Sequence, residues 1–266
     1  MRTTIGTIFT LCALLAGCDP SIDDENDDIN TTNDSIRTSE TYAVVIGMEK
    51  SKFAGDCPGA KLDSNRMHTL ISKYAKQTVL LQDANATRAN VHTAIETAIA
   101  KSASGLCIIC YSGHGGSYPF YDTGKDEADK SDEYLCLYDT FMRDNEIWSL
   151  ISKSKGRVFL CIDACHSQTM YRQPYFGLKP PLSFDHKLNE SQPFSMLCWS
   201  GCPDTDYSYG SSSGGQFTNT LLKYFTPTIT YQELWNKIKA DKALKEYEAP
   251  QSTVLGSGFD GKMMLR

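Results

Sequence analysis

The chain has 266 residues, 41 % hydrophobic and 22 % charged, a balance that suits one large α/β domain or two small ones and excludes a collagenous, wholly disordered or multi-span membrane protein. Its net charge of −6 is localised: residues 19–40 hold eight acids against Arg37, a net of −7, residues 1–18 carry only Arg2, and residues 41–266 therefore sum to zero. With no basic face, nucleic acid is not an expected partner.

Residues 1–18 have a basic start followed by an apolar run from Ile5 to Gly17 that is too short to span a bilayer, which reads as a secretion signal. Leu15-Ala16-Gly17-Cys18 resembles the bacterial lipobox, in which cleavage precedes a cysteine that is then lipidated. Cys18 is thus the expected membrane anchor, and the bacterial envelope, at the outer membrane or cell surface, the expected location. Residues 19–40 are rich in Asp, Asn, Ser and Thr and bury too little apolar surface to fold, so they are expected to form an acidic disordered tether. Its charge resembles a surface-export signal of lipoproteins, with a plain solvated spacer as the other reading.

The folded domain is expected over 41–266. Tyr42 to Gly47 reads as a buried strand, and Ala60, Met67, Leu70, Ile71 and Tyr74 recur at helical spacing. Val79-Leu80-Leu81 is a second strand, and Thr87 can cap a helix whose apolar face is Val91, Ala94, Ile95, Ala98 and Ile99. Leu106 to Tyr111 and Val158 to Ile162 are continuous apolar runs of the kind covered on both faces, and Phe194 to Ser200 makes a fifth strand. Gln216 to Phe225 and Tyr231 to Leu244 read as later helices. This β-α-β order predicts a three-layer α/β/α sandwich around a mainly parallel central sheet.

In such a sheet, chemistry collects beyond the carboxyl ends of the strands. There the sequence places Tyr111-Ser112-Gly113-His114-Gly115-Gly116 and Asp163-Ala164-Cys165-His166-Ser167. A cysteine attacks as its thiolate, and a nearby imidazole supplies and removes the proton, so His114 and Cys165 form a candidate nucleophile pair. Gly115 and the backbone of Cys165 are candidate donors to an oxyanion. His166 and Cys161 are rivals: the first adjoins Cys165 in the chain, which disfavours their meeting, and the second lies inside an apolar run. His68, His92 and His186 read as surface residues on helices or in an irregular loop. Cys107 and Cys110 have the spacing of half a zinc site but on a strand point to opposite faces, and no second half exists, so no metal is expected there. A disulfide elsewhere stays open.

The paired motifs resemble the signature of the metacaspase and orthocaspase branch of the caspase superfamily, in which the histidine stands about 50 residues before the cysteine. The resemblance covers about residues 41 to 260. It includes Gly59-Ala60-Lys61-Leu62-Asp63-Ser64-Asn65-Arg66-Met67, Asp132-Glu133-Tyr134-Leu135-Cys136-Leu137-Tyr138-Asp139 and Gly215-Gln216-Phe217-Thr218; Gln168 replaces a usual glycine. It implies a caspase-like cysteine endopeptidase without a required cofactor, acting on protein or peptide substrates and monomeric. By the same resemblance Asp63 and Asp163 line the primary pocket with Ser112 at its wall, and two carboxylates there would select Arg or Lys. Alternative roles are a helix cap for Asp63 and local amide bonding for Asp163. Trp199, Ser200 and Tyr207 border the cleft in such folds, with a core role equally open for Trp199.

Seven acids between Asp122 and Asp139 form either a site for activating Ca²⁺, which some metacaspases need, or a solvated hairpin; the hairpin is favoured because the glycine-anchored spacing of a calcium loop is absent. Lys125, Lys130, Lys153 and Lys155 lie where an enzyme cutting after Lys could process itself. The competing functions are a clostripain- or gingipain-type peptidase of the same fold and a non-catalytic surface binding module.

Overall fold

A computed structural model describes residues 40–118, 131–171, 186–188 and 192–266. The signal, most of the tether, Lys125, Lys130 and four of the seven acids lie outside the described residues. The centre is a seven-stranded sheet. Its strands are β1 (Thr41–Gly47), β2 (Gln77–Gln82), β3 (Leu106–Ser112), β7 (Arg157–Asp163), β8 (His186–Leu188), β9 (Ser195–Ser200) and β12 (Gln251–Leu255), in the order β2-β1-β3-β7-β9-β12-β8. All pairings in it are parallel except β9 with β12; apart from it, β10 (Gly210–Ser211) pairs antiparallel with β11 (Gly214–Gly215).

The apolar runs alternate across this sheet and fill two cores. Val44, Ile46, Cys107, Ile109, Leu160 and Ile162 face α2 (Arg88–Ser102) and α3 (Asp144–Ile151), whereas Val45, Ile108, Cys110, Phe159, Cys161 and Trp199 face α1 (Ala60–Ile71), α4 (Gln216–Tyr224) and α5 (Tyr231–Ala240). Helices on both faces of a mostly parallel sheet make the expected α/β/α sandwich. Cys107 and Cys110 fall in opposite cores, and all eight described cysteines are free. Local chemistry agrees with the layers: the Thr87 hydroxyl accepts from Asn90 N at the start of α2, and Thr230 and Glu233 form a reciprocal capping box on α5.

Four expectations change. Tyr231 to Leu244 is two helices, because Asp241 leaves the helical conformation to accept from Lys223 Nζ at 2.7 Å and Tyr224 Oη at 2.9 Å, and then caps α6 (Lys242–Lys245). Helix α1 stops at Ile71, so Tyr74 lies beyond it. His186 is in strand β8 rather than an irregular loop. The described part of the acidic segment is not a solvated hairpin. It is β5 (Asp132–Cys136) of an antiparallel ribbon with β4 (Gly115–Tyr118) and β6 (Phe141–Arg143), whose Leu135 and Met142 enter the α2–α3 core. Asp132 and Glu133 are buried, and Asp132 pairs with Arg143 at 3.6 Å. Asp139 accepts from Arg88 N at 2.8 Å, so these three acids all bind protein groups.

Candidate active site

The register of β3 against β7 sets the site. Every partner is 51 residues downstream, from Leu106 with Arg157 to Ser112 with Asp163, and His114 and Cys165 are also 165 − 114 = 51 apart. Each therefore stands two residues past the same rung of a parallel ladder, on adjacent loops. The loops touch: Gly113 N donates to Asp163 O at 3.2 Å, and a Cβ on Gly115 would lie 2.2 Å from the Cys165 carbonyl oxygen. Gly115 is thus the only residue type that lets the histidine loop approach the cysteine so closely.

His114 Nε2 lies 3.2 Å from the carbonyl oxygen of Asp56. A carbonyl only accepts, so Nε2 carries the hydrogen and the neutral ring keeps its lone pair on Nδ1. Cys165 is half-buried, and its thiol donates to Ser208 O at 3.7 Å. Burial pushes the thiol up, and the nearby acidic groups of Asp163 and Glu248 push in the same direction. The rival residues are committed elsewhere. His166 has a left-handed backbone, hydrogen-bonds the Asp204 carbonyl through Nδ1 and sets its ring edge against Tyr207, while Cys161 is buried in the core beside Cys110. His68 and His92 lie on α1 and α2.

Beside the pair, a cavity of about 40 Å³ is lined by Asp63, Ser112, Asp163, Ser208, Tyr209 and Gly215, among others. Asp63 does not cap its own helix. Its Oδ2 accepts from Ser112 Oγ at 2.9 Å and Gly215 N at 2.8 Å, and its buried Oδ1 has no partner among the described residues. Asp163 Oδ1 accepts from Ser208 Oγ at 2.7 Å, and Oδ2 accepts from both the amide and the hydroxyl of Thr218 at 2.9 and 2.7 Å, which ties the strand to the first turn of α4. Burial, with the neighbouring Asp163, raises the Asp63 carboxyl to about 7; burial also raises Asp163, against the pull of its hydroxyl partners. A Cβ on Gly215 would lie 2.2 Å from Asp163 Oδ2, so the α4 entry must be glycine for the two acids to share one pocket. Gly59, at φ 97° and with its Cβ position 2.1 Å from Ser211 O, lets the start of α1 meet the same loop.

Two sequence candidates are not brought to this pocket. Trp199 is buried, stacked on Trp235 at 5.1 Å and edge-on to Phe159. Strand alternation aims it at the helical layer. Ser200 is also buried and turns its hydroxyl to the Cys202 carbonyl at 3.3 Å. Tyr207 stands exposed at the rim. Conversely, the Asp56 carbonyl, Ser208, Thr218 and Glu248 join the site without having been singled out. Glu248 Oε1 lies 3.1 Å from Ser208 Oγ and accepts from Tyr209 N; burial and Asp163 raise its carboxyl to about 9, so at neutral pH it is a protonated acid. Backbone acceptors and partners brought by distant loops leave no motif, and only Ser208, next to Tyr207 at the expected border of the cleft, had a hint in the sequence.

The caspase-domain model of the Peptidase C14 family matches residues 40–255. Metacaspase-1A of the fungus Aspergillus fumigatus is 23 % identical over 284 residues, 80 % of this chain and 68 % of the relative. Among solved structures, the protein GSU0716 of Geobacter sulfurreducens superposes with a TM-score of 0.63 at 25 % identity, covering 82 % of this chain and 94 % of that one. Caspase-1 of Spodoptera frugiperda superposes at 0.51 with 11 % identity, over 89 % and 97 % of the two chains, which speaks to the fold alone. A match spanning the whole sheet, both motif loops and the pocket shows that this chain belongs to the caspase-domain family of cysteine peptidases.

Proposed function

We propose that the protein is a cysteine endopeptidase that cleaves after Arg or Lys, with Cys165 as nucleophile and His114 as its base. The observation that carries the specificity is the buried pair Asp63 and Asp163 meeting at Gly215 beside Cys165, with Asp63 Oδ1 unpartnered among the described residues. A guanidinium or ammonium entering there gains a charge-assisted bond and removes an orphaned acceptor, whereas a substrate carboxylate would meet like charge.

The chemistry follows from the histidine tautomer. The thiol turns from Ser208 O to Nδ1 and gives up its proton, and the thiolate attacks the scissile carbonyl carbon. The oxyanion is held by the N–H groups of Gly115 and Cys165. Nδ1–H then protonates the departing amine, leaving an acyl group on Sγ, and a water deprotonated by Nδ1 releases the acid and restores the thiol. Nε2–H stays on the Asp56 carbonyl throughout, which fixes the ring and spreads the transient positive charge. None of these steps calls for a metal; a calcium requirement remains part of the proposal's test.

Strand β8 covers the edge of β12 and is itself only three residues long, and so short an edge strand supports a monomer. The lipobox supports anchoring through Cys18. The test uses residues 19–266 and peptides ending in Arg, Lys, Asp or Ala before a fluorogenic amine, with and without Ca²⁺. Hydrolysis after Arg and Lys is expected, with Cys165→Ala or His114→Ala reducing it by about 10⁴-fold or more in a folded protein. Cleavage after Asp would sink the pocket assignment. No turnover, even after limited proteolysis, would favour a binding module.

A further inference from the structure

A second surface adjoins His114, on the ribbon that follows it in the chain. Strand β4 begins at Gly115, immediately after the histidine, and pairs with β5 so that Gly116 faces Tyr134. With Leu135 and Met142 directed into the core, alternation turns Tyr134 and Phe141 to the opposite face of the ribbon. There Tyr118, Tyr134 and Phe141 form diagonal pairs, with ring centroids 4.5 Å apart for Tyr118–Tyr134 and 4.6 Å for Tyr134–Phe141. Phe53 extends this face from another loop, 6.0 Å from Phe141, and is 61 % exposed. The same loop carries Asp56, whose carbonyl touches His114. A Cβ at Gly116 would lie 2.3 Å from Tyr134 Oη, so the aromatic face reaches over β4 to within two residues of the histidine.

We propose that the outer aromatic face of the β4–β5–β6 ribbon, extended by Phe53, docks the substrate segment that follows the cleaved bond and favours apolar or aromatic side chains there. The inference rests on the peptidase reading. It follows from direction: the side chain before the scissile bond enters the pocket under α1, and the departing amine must meet Nδ1 of His114, so the chain beyond it runs past His114 toward the ribbon. Tyr134 stands opposite Gly116, two residues from His114, so at a strand rise of about 3.3 Å per residue the two or three residues after the bond reach as far as Tyr134. Phe53 is exposed and Tyr118, Tyr134 and Phe141 are half-buried, and partly open aromatic rings gain from covering by apolar side chains. Lys52, over the Tyr138 ring at 4.8 Å, and Arg143, over Tyr118 at 5.7 Å, border the face with positive charge.

Two substrate types separate this inference from the reading beneath it. An Arg-terminated peptide with a fluorogenic amine has nothing beyond the cleaved bond, whereas internally quenched peptides with the same Arg carry either Leu-Phe-Leu or Ser-Gly-Ser after it. The wild-type protein is expected to process the apolar series with kcat/KM about tenfold above the polar one, the scale of one well-covered aromatic contact. Phe53→Ala and Phe141→Ser should erase that difference and leave fluorogenic turnover unchanged. Equal rates in the two wild-type series would overturn the proposal. So would a matching loss of fluorogenic turnover in Phe53→Ala, which would make Phe53 a support for the Asp56 loop. If no substrate turns over, anisotropy decides: Leu-Phe-Leu peptides must bind Cys165→Ala more tightly than Ser-Gly-Ser peptides and lose that advantage in Phe53→Ala. Sedimentation showing dimers that Phe53→Ala dissolves would instead assign the face to a second copy and reject the proposal.

Discussion

The two flanks of the cleft solve opposite problems. Under α1, three carboxyl groups (Asp63, Asp163 and Glu248) are buried within one network and held by the hydroxyls of Ser112, Ser208 and Thr218 and by three backbone amides, with Asp63 Oδ1 and Glu248 Oε2 unpartnered among the described residues. Beyond His114, aromatic rings are left partly open to water. Both arrangements cost free energy in the empty protein, one by desolvating acids and the other by exposing apolar rings. On the proposed reading, each cost is recovered when a substrate of matching chemistry arrives, which turns binding energy into selectivity. The acidic flank is rigid, because its acids are fixed from α1, β3, β7 and α4 at once; the aromatic flank is a short ribbon that depends on ring contacts.

Removing the acids should break the contrast most sharply. Asp63→Asn with Asp163→Asn is expected to lower kcat/KM for Arg peptides by about 10³-fold while sparing a peptide with a neutral residue before the bond, as measured by paired steady-state assays. Asp163→Ala would add a structural loss, since it also uncaps α4.

Acidity offers a second lever. The Asp63 carboxyl, raised to about 7, must ionise to hold a cation, so kcat/KM for Arg peptides should climb through that pH. A limb that survives in Asp63→Asn belongs to another group, and the assignment then fails.

Glu248 acts by holding the loop that carries Ser208 and Tyr209. Glu248→Ala is expected to cost about tenfold in kcat/KM, whereas Glu248→Gln, which keeps an acceptor oxygen in place, should retain near-normal activity; equal effects of the two would contradict the positioning role.

The smallest effect is on stability and has the reverse sign. A carboxyl whose folded pKa is raised favours the folded state fully below its unfolded value near 4 and loses that favour as pH rises through about 7. Asp63→Asn should therefore melt about 2–4 °C higher than the parent protein at pH 8 and no higher at pH 4, read from thermal denaturation. Activity and stability would then move in opposite directions at one residue.

The central sheet was legible because strands covered on both faces must be continuously apolar, and the motif loops because they end those runs. Asp63 was legible only through resemblance, since nothing local distinguishes it from a capping acid. The ribbon was misread: an acid-rich stretch looked solvated, although Leu135, Leu137 and Met142 anchor it and Arg143 pairs with Asp132. Helix α3 carries Ile147, Leu150 and Ile151 at helical spacing, a signal hidden by its shortness. Strand β12 has little apolar content to betray it. Trp199 showed the limit of position along a strand, because alternation, not proximity to the strand end, decides which side chain reaches the cleft.

The shared offset of β3 and β7 has a further consequence for chain integrity. His114 and Cys165 are kept together by a ladder of seven paired residues and by the core on both faces, not by the polypeptide that connects them. A cut at an exposed site such as Lys153 or Lys155 would leave two fragments interlocked through hydrogen-bonded strands, the histidine on one and the cysteine on the other, with the ladder still setting their spacing.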